Sequence, residues 1–514
     1  MDIPQRLKNL SMRVKDRMNN YLMKILISCI LVIHFSLNVS GETREISAEN
    51  LRDKINGGII GQFFGNLNGL VHENKYTDEP GNVTEYTPDL SNGAFTDDDT
   101  DIEFVYIYHM LQSGRHILPY SEIYDLWIEN ISDKIWCSNR YARNLMDIGI
   151  QPPYTGRIAF NPWAVFNISG QFLSEQFALI SPGMPQTAAR IGTHYTHVAI
   201  DGEPAQTTQL YDAMIATAFF EDDFMEVIKA GLAAVDPNSE IHEIVTNVIT
   251  WYEAHPEDWR ATRTSIKQEY WNGEFGGPGG SNGYRIITAA TIASILHGEG
   301  DFVETIRHSF NFGWDADNIA AMVGTIMGVL KGEKWIRSQG WIIKDEYKNN
   351  RRPGLPTDLT ITSFADMHFQ LAKTIILENG GKKTEMDGKP GFLINTEEPS
   401  NIERLPVPLH RIRELRTQWW PIIQTELAGD TIQMARAVYI TICLDLVKEI
   451  SDERSEDWFV ALEAIKPYYE SLFDDGQWSN EAKVYFNDVV YNCNMEPNCP
   501  FGYERFIPSK SLPL

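Results

Sequence analysis

Residues 313–332 read Gly-Trp-Asp-Ala-Asp-Asn-Ile-Ala-Ala-Met-Val-Gly-Thr-Ile-Met-Gly-Val-Leu-Lys-Gly, and this stretch decides the fold. Asp315, Asp317 and Asn318 stand immediately before an apolar run, where capping and the helix dipole favour short acidic and amide side chains. The run is apolar on every side, which predicts a helix buried all round. Gly324, Gly328 and Gly332 recur four apart, so one face has almost no side chain. Glycine costs about 1 kcal/mol in a helix interior, so three in register need a packing reason: the close approach of a neighbouring backbone.

Two other stretches share features with this one. Gly57, Gly61, Gly65 and Gly69 give a second thin helical face, and Glu73 follows where the pattern breaks into a polar loop. On spacing alone Glu73 is a surface carboxylate. Thr96-Asp97-Asp98-Asp99-Thr100-Asp101 precedes the apolar helical pattern IEFVYIYHML. One aspartate would serve as a cap, and four in five positions exceed that need. Carboxylates held so close repel one another unless a cation compensates them, and hard oxygen donors suit Mg²⁺, Mn²⁺ or Ca²⁺. Two buried helices that each open on carboxylates can aim both clusters at one point, and a pair of bridged ions would need about this many carboxylates.

Farther out, helical periodicity holds nearly throughout. It is clearest over 101–113, 209–232, 284–297, 302–312 and 318–331, with short strands expected only near 158–172. Residues 379–405 read as a linker, and 406–475 as helical again. The predicted fold class is therefore all-α, with a smaller helical C-terminal region. The loop Gly276 to Gly283, which contains Gly279, Gly280, Ser281 and Asn282, opens a helix, and free amides there could hold a pyrophosphate. Without a Walker or Rossmann context such a loop is more often a connector.

The chain has 514 residues, with 44 basic against 70 acidic and a formal net charge of −26. That field repels nucleic acid and anionic membranes and favours recruitment of divalent cations. Residues 1–41 differ in kind: six basic side chains, the apolar run Ile25 to Leu37, then Val39-Ser40-Gly41. This order reads as a secretory signal, with Met23 as an alternative start, and the run is short for a membrane span. Its removal leaves a net charge of about −30 and no stable membrane span. Cys493 and Cys499 suit a local disulfide in an oxidising compartment, and Asn82, Asn130 and Asn167 head sequons. The expected localisation is secreted or within the secretory lumen.

The order of a thin-faced helix with a following Glu, an Asp-Asp-x-Thr helix start and a late Gly-x-Asp-x-Asp helix start resembles the ADP-ribosylglycohydrolase family over about residues 50–350. Gly61, Gly65, Gly69 and Glu73 match its opening GxxxGDxxGxxxE, Thr96 to Thr100 its (T/S)DDT, and Gly313 to Asn318 its GGDxDT. Three departures stand out. Asn66 replaces an Asp, Asn318 replaces a Thr ligand with an amide oxygen, and the first motif has an extra Asp. Anchored on Thr100, the paired ligands are Asp98 and Asp99 with Asp97 in the hydroxyl position; anchored on Thr96, they are Asp97 and Asp98. The Thr100 anchor keeps the distance to the buried helix.

The resemblance implies an orthogonal multi-helix bundle over 45–395, with 396–514 as the helical C-terminal region. It implies two Mg²⁺ ions, with Mn²⁺ as the alternative, held among Asp97, Asp98, Asp99, Asp315, Asp317 and Asn318. Glu73, Asp98, Asp99 and Asp315 are the implied catalytic carboxylates. Tyr195-Thr196-His197 is similar to the family's central segment, which places His197 near the ligand; a lone histidine is otherwise a core or capping residue. The implied reaction is hydrolysis of an N- or O-glycosidic bond to ADP-ribose on a protein or small molecule. Two rivals remain: a non-catalytic ADP-ribose-binding or structural member of the fold, and an all-α isoprenoid-type enzyme that reads Asp97-Asp98-x-x-Asp101 as its diphosphate motif.

Overall fold

A computed structural model describes residues 42–474, 477–478 and 480–492. The expected signal segment, Cys29, Cys493 and Cys499 lie outside the described residues. Strand β1 (Thr43–Ser47) leads directly into helix α1 (Ala48–Gly69), whose N-cap Ser47 accepts from the Asn50 amide. The bundle continues through α2 (Asp98–Ser113), α3 (Glu203–Thr217), α4 (Tyr284–Gly298), α5 (Phe302–Phe312), α6 (Ala316–Lys331) and α7 (Ile361–Glu378). The chain is all-α apart from short strands.

At its centre α1 and α6 lie backbone to backbone. A methyl group on Gly57 would strike the Gly328 carbonyl, one on Gly61 the Gly324 carbonyl, and one on Gly65 the Ala320 carbonyl. In return, methyls on Gly324 and Gly328 would strike the Gly61 and Gly57 carbonyls. The two thin faces therefore face one another, and this contact supplies the packing reason for glycines that weaken an isolated helix. The seam ends at Gly69, where an added Cβ would lie 2.5 Å from the Cα of Asp317. It delivers the C-terminus of α1 to the N-terminus of α6.

Several expectations are revised. Within 158–172 the described residues form turns and a short helix (Ser169–Phe172), with one isolated bridge from Asn167 to Gly283. The Asn161 side chain donates to the Thr155 and Ser138 carbonyls, so amide bonds replace a strand ladder there. The stretch 209–232 breaks after Thr217 and restarts at Phe224, where Asp223 caps a new helix. The expected linker holds a hairpin, β2 (Lys382–Met386) and β3 (Lys389–Asn395), with β1 paired antiparallel to β3. Its two-residue turn, Asp387-Gly388, has positive φ at both positions, as such hairpin turns require.

Beyond it, residues 396–407 are strapped to the bundle. Glu397 accepts from the amide and hydroxyl of Thr187, both at 2.7 Å, and the Glu403 carbonyl accepts from Gln206 and Gln209. Helices α8 (Pro408–Glu426), α9 (Thr431–Cys443) and α10 (Ser455–Ile465) form the C-terminal region. Tyr439 there donates to the Phe160 carbonyl at 2.6 Å, and Trp419 packs edge-on to Tyr154 and Phe160. Of the sequon asparagines named above, Asn82 is exposed, whereas Asn130 and Asn167 are buried.

Candidate metal centre

Each acid-bearing segment has a local reason for its position. Asp97 is the N-cap residue of α2, and the Thr100 hydroxyl closes the first turn against the Asp97 amide and carbonyl. Before α6, Gly313 and Trp314 both adopt positive φ, 82° and 57°. Positive φ in a tryptophan costs about 1–3 kcal/mol and needs surrounding structure to enforce it. Trp314 is fully buried with the Arg263 guanidinium 4.4 Å over its ring. Its carbonyl accepts from the Asn74 amide at 2.7 Å, which ties the loop carrying Glu73 to the turn carrying Asp315.

Together these segments form two overlapping trios of carboxylates. Glu73, Asp315 and Asp317 present oxygens within 4.8 Å of one another, and so do Asp97, Asp99 and Asp317. Asp317 belongs to both and is 4% exposed, and among the described residues its Oδ1 has no hydrogen-bond partner. Burial pushes the carboxyls of Asp99, Asp315 and Asp317 well above their ordinary range, and their mutual repulsion adds to it. Burial, then Asp98 and Asp97, raises Glu73. Crowded hard oxygens, a buried orphan among them, form a donor set suited to a divalent cation.

The first acidic run is arranged differently from the expectation. Asp97 and Asp99 face Asp317, while Asp98, which lines the same cavity, stands outside both trios and pairs with Arg351. The cap residue Asp97 lies in extended backbone, and one carboxamide behind the helix start holds Asp97 and Asp99 together. Arg351 bridges Asp97 at 2.6 Å and Asp98 at 2.9 Å. Asn66 donates to both Asp97 and Asp99, each at 3.2 Å. Asn318, expected to offer its amide oxygen as a ligand, instead accepts at that oxygen from Gln171 (2.7 Å) and donates to Asp99 (3.2 Å). Asp101 is fully buried and paired with Arg352 at 2.8 Å, so the diphosphate-motif face of the isoprenoid reading is not presented.

These carboxylates floor a cavity of about 430 Å³. Its walls include Trp163, Phe172, Asn139, Asn167 and Asn282, with Arg140 and Arg351 as cationic groups. Trp136 and Phe275, about half exposed, also line it. Of the expected ligand-contacting residues only Asn282 lines the cavity, and it accepts from Asn167. Gly279, Gly280 and Ser281 do not. Their loop folds on itself, with the Gly280 and Ser281 amides donating to Gly277 and Glu274 and the Asn282 amide to Phe275. The amides of Gly280, Ser281 and Asn282, expected to hold a pyrophosphate, are thus spent on protein carbonyls.

His197 also lies elsewhere. Its Nε2 meets Glu403 at 2.8 Å and its Nδ1 the Ile200 carbonyl at 3.0 Å. Asp201 completes a third trio of potential ligands, but Arg157 and Arg411 already pair with Asp201, which makes the group an ion-pair clasp on the strap.

Arg351, Arg352 and Gln171 were not foreseen as site residues. The signal for the arginines was Asn-Asn-Arg-Arg-Pro, a basic pair in an acidic chain, and a short parallel ladder brings it in. Ala94–Phe95 pairs with Tyr347–Lys348, and the Thr96 amide donates to Lys348. A second acidic group, Glu103, Glu175 and Asp212, is fully buried in the core away from the cavity. Glu103 accepts from the Gln176 amide and Gln62, while among the described residues no side-chain donor reaches Glu175 or Asp212.

The family model for ADP-ribosylglycohydrolase matches residues 47–369. Among solved structures, an ADP-ribosylglycohydrolase-related protein complex is similar at 15% identity, over 64% of this chain and 99% of that one, with a TM-score of 0.41. No curated protein matches the chain.

Proposed function

The chain belongs to the ADP-ribosylglycohydrolase family, a family of glycoside-cleaving hydrolases, and from that premise we propose that it is a Mg²⁺-dependent enzyme hydrolysing a glycosidic bond to ADP-ribose. The substrate class is an ADP-ribosylated protein or a small ADP-ribosyl compound. The observation that carries the reading is the meeting of Glu73, Asp315, Asp317, Asp97 and Asp99 in the lining of one cavity. Three remote segments of a chain with net charge −26 do not bring acids within 4.8 Å of one another, several of them buried, without a compensating cation or proton.

Glu73, Asp315 and Asp317 are the residues that would hold the ion. When bound, it supplies positive charge that fixes the vicinal ribose hydroxyls and acidifies water. The chain's own groups do the rest. Glu73, at the rim of the cavity, is placed to take a proton from the attacking water or return one to the leaving group. The developing positive charge on the sugar ring is stabilised by the surrounding carboxylates. The aromatic wall, Trp163 and Phe172 with Trp136 and Phe275, excludes water and offers flat surfaces to a base or ring.

The basic n-region and apolar run of residues 1–41 support a secretory location, where Asn82 is the sequon open to glycosylation. Among the described residues no helix is long and apolar enough to cross a membrane. The test is release of ADP-ribose from arginine-, serine- and small-molecule-linked substrates, with and without Mg²⁺. Asp315→Ala and Asp317→Ala serve as controls. Turnover that needs both Mg²⁺ and the aspartates supports the reading. Wild type and variants that behave alike on every substrate overturn it.

A further inference from the structure

The two halves of the acidic centre are compensated differently, and this difference bears on how many ions it takes. On the Asp97–Asp99 side the protein has already supplied donors. Asp97 is held by Arg351 at Oδ1 and by Asn66 at Oδ2, and Asp98 by Arg351. Both oxygens of Asp99 accept carboxamide hydrogens, from Asn318 at Oδ1 and from Asn66 at Oδ2. Gln171 donates to the Asn318 amide oxygen, which turns that oxygen into the core and the NH₂ toward Asp99. These two carboxamides stand at the positions where the sequence departs from the family pattern.

On the other side the situation is reversed. Among the described residues no lysine or arginine pairs with Glu73, Asp315 or Asp317, and the buried Oδ1 of Asp317 has no partner. Building on the reading of this centre as a divalent-cation site, we propose that Arg351 takes the place of one cation, so that the centre holds a single divalent ion, on the Glu73–Asp315–Asp317 side. A guanidinium fixed across two carboxylates supplies positive charge where a second ion would otherwise be drawn. A dication added beside it would meet like-charge repulsion and displace hydrogen bonds that Asp97 and Asp98 already make.

The experiment counts ions without using turnover. The purified full chain is titrated with Mn²⁺ and followed by electron paramagnetic resonance, with equilibrium dialysis for stoichiometry. The wild type is expected to hold one tight Mn²⁺ per chain, with the spectrum of an isolated ion. Arg351→Met is expected to hold two, with an exchange-coupled spectrum, and Arg351→Lys one. Circular dichroism reports whether each variant is folded, and Arg351→Gln replaces the methionine variant if that one melts early. Two ions or none in the wild type overturns the proposal, as does a folded, uncharged variant at 351 that still holds one. An inactive protein with one ion would instead sink the glycohydrolase reading and leave this inference standing, and an active protein with two ions would do the reverse.

Discussion

Two groups of carboxylates occupy the same bundle and stand in opposite relations to the outside. Glu73, Asp97, Asp99, Asp315 and Asp317 converge on a cavity of about 430 Å³ and come from the ends of helices and loops. Glu103, Glu175 and Asp212 lie within helices in the sealed core, and burial lifts all three carboxyls well above their ordinary range. Raised proton affinity is common to both groups, so it does not mark the site. What separates them is convergence on a space that a ligand can enter, with basic side chains at its edge.

The largest effect that would test this contrast is at Asp317. Asp317→Asn should lower glycohydrolase turnover by at least ~100-fold, because the proposed cation would lose a ligand, while Asp212→Asn leaves turnover within a few-fold of wild type. Parallel kinetic assays on the two variants read this directly. Equal losses would erase the distinction between the groups.

Next in size is the seam that holds the open group together. Gly65→Ala would drive a methyl into the Ala320 carbonyl and should cost about 1–3 kcal/mol or more, read from urea unfolding. The proposed divalent ion should bind more weakly in the same variant, since α1 and α6 must part to admit the methyl.

The sealed group sharpens the comparison through pH. A carboxyl whose folded pKa is raised contributes stability that is fully present below its ordinary value near 4 and lost as pH rises through the folded value. Wild-type thermal stability should therefore decline toward alkaline pH. Glu175→Gln and Asp212→Asn should flatten that decline and raise the melting midpoint above neutrality by a few degrees. Variants that melt earlier than wild type at every pH would show that these acids do structural work as anions.

The smallest effect is at the strap. Burial pulls the His197 imidazole down, but Glu403 outweighs it and holds the ring above its ordinary value. Burial likewise opposes the Glu403 carboxylate, which His197 keeps below its own ordinary value. The histidine's contribution is fully present below about 6.5 and fades as pH rises, and the glutamate's is present above about 4.3 and fades as pH falls. Glu403→Gln should therefore lower the melting midpoint by a degree or two, most visibly between those values, and hasten proteolysis within 396–407.

The sequence made legible what is local or periodic. Glycines at four-residue spacing implied close backbone approach at two helices, and the structure shows that each thin face is the other's partner. The acidic helix starts were legible because a cap uses one aspartate and the rest needed a purpose. Features that depend on distant pairing were not. Arg351 reaches Asp97 through a two-residue ladder that no periodicity announces, and the orientation of Asn318 depends on Gln171 behind it. Asp387-Gly388 carried a hairpin signal, but the polar residues around it read as a linker because the covering strand, β1, lies more than three hundred residues away. His197 read as a ligand group from its neighbours in sequence, whereas its partner, Glu403, comes from the strap.

The seam between α1 and α6 has one more consequence. Where main chain rests on main chain, the gap is already at the minimum that atomic radii permit, and no replacement at Gly57, Gly61 or Gly65 can draw the helices nearer. Variation at those positions acts in one direction only, toward a wider throat between the acids. Any tightening of the cavity around a ligand must come from side chains at the rim, and an engineer seeking it should leave the spine alone.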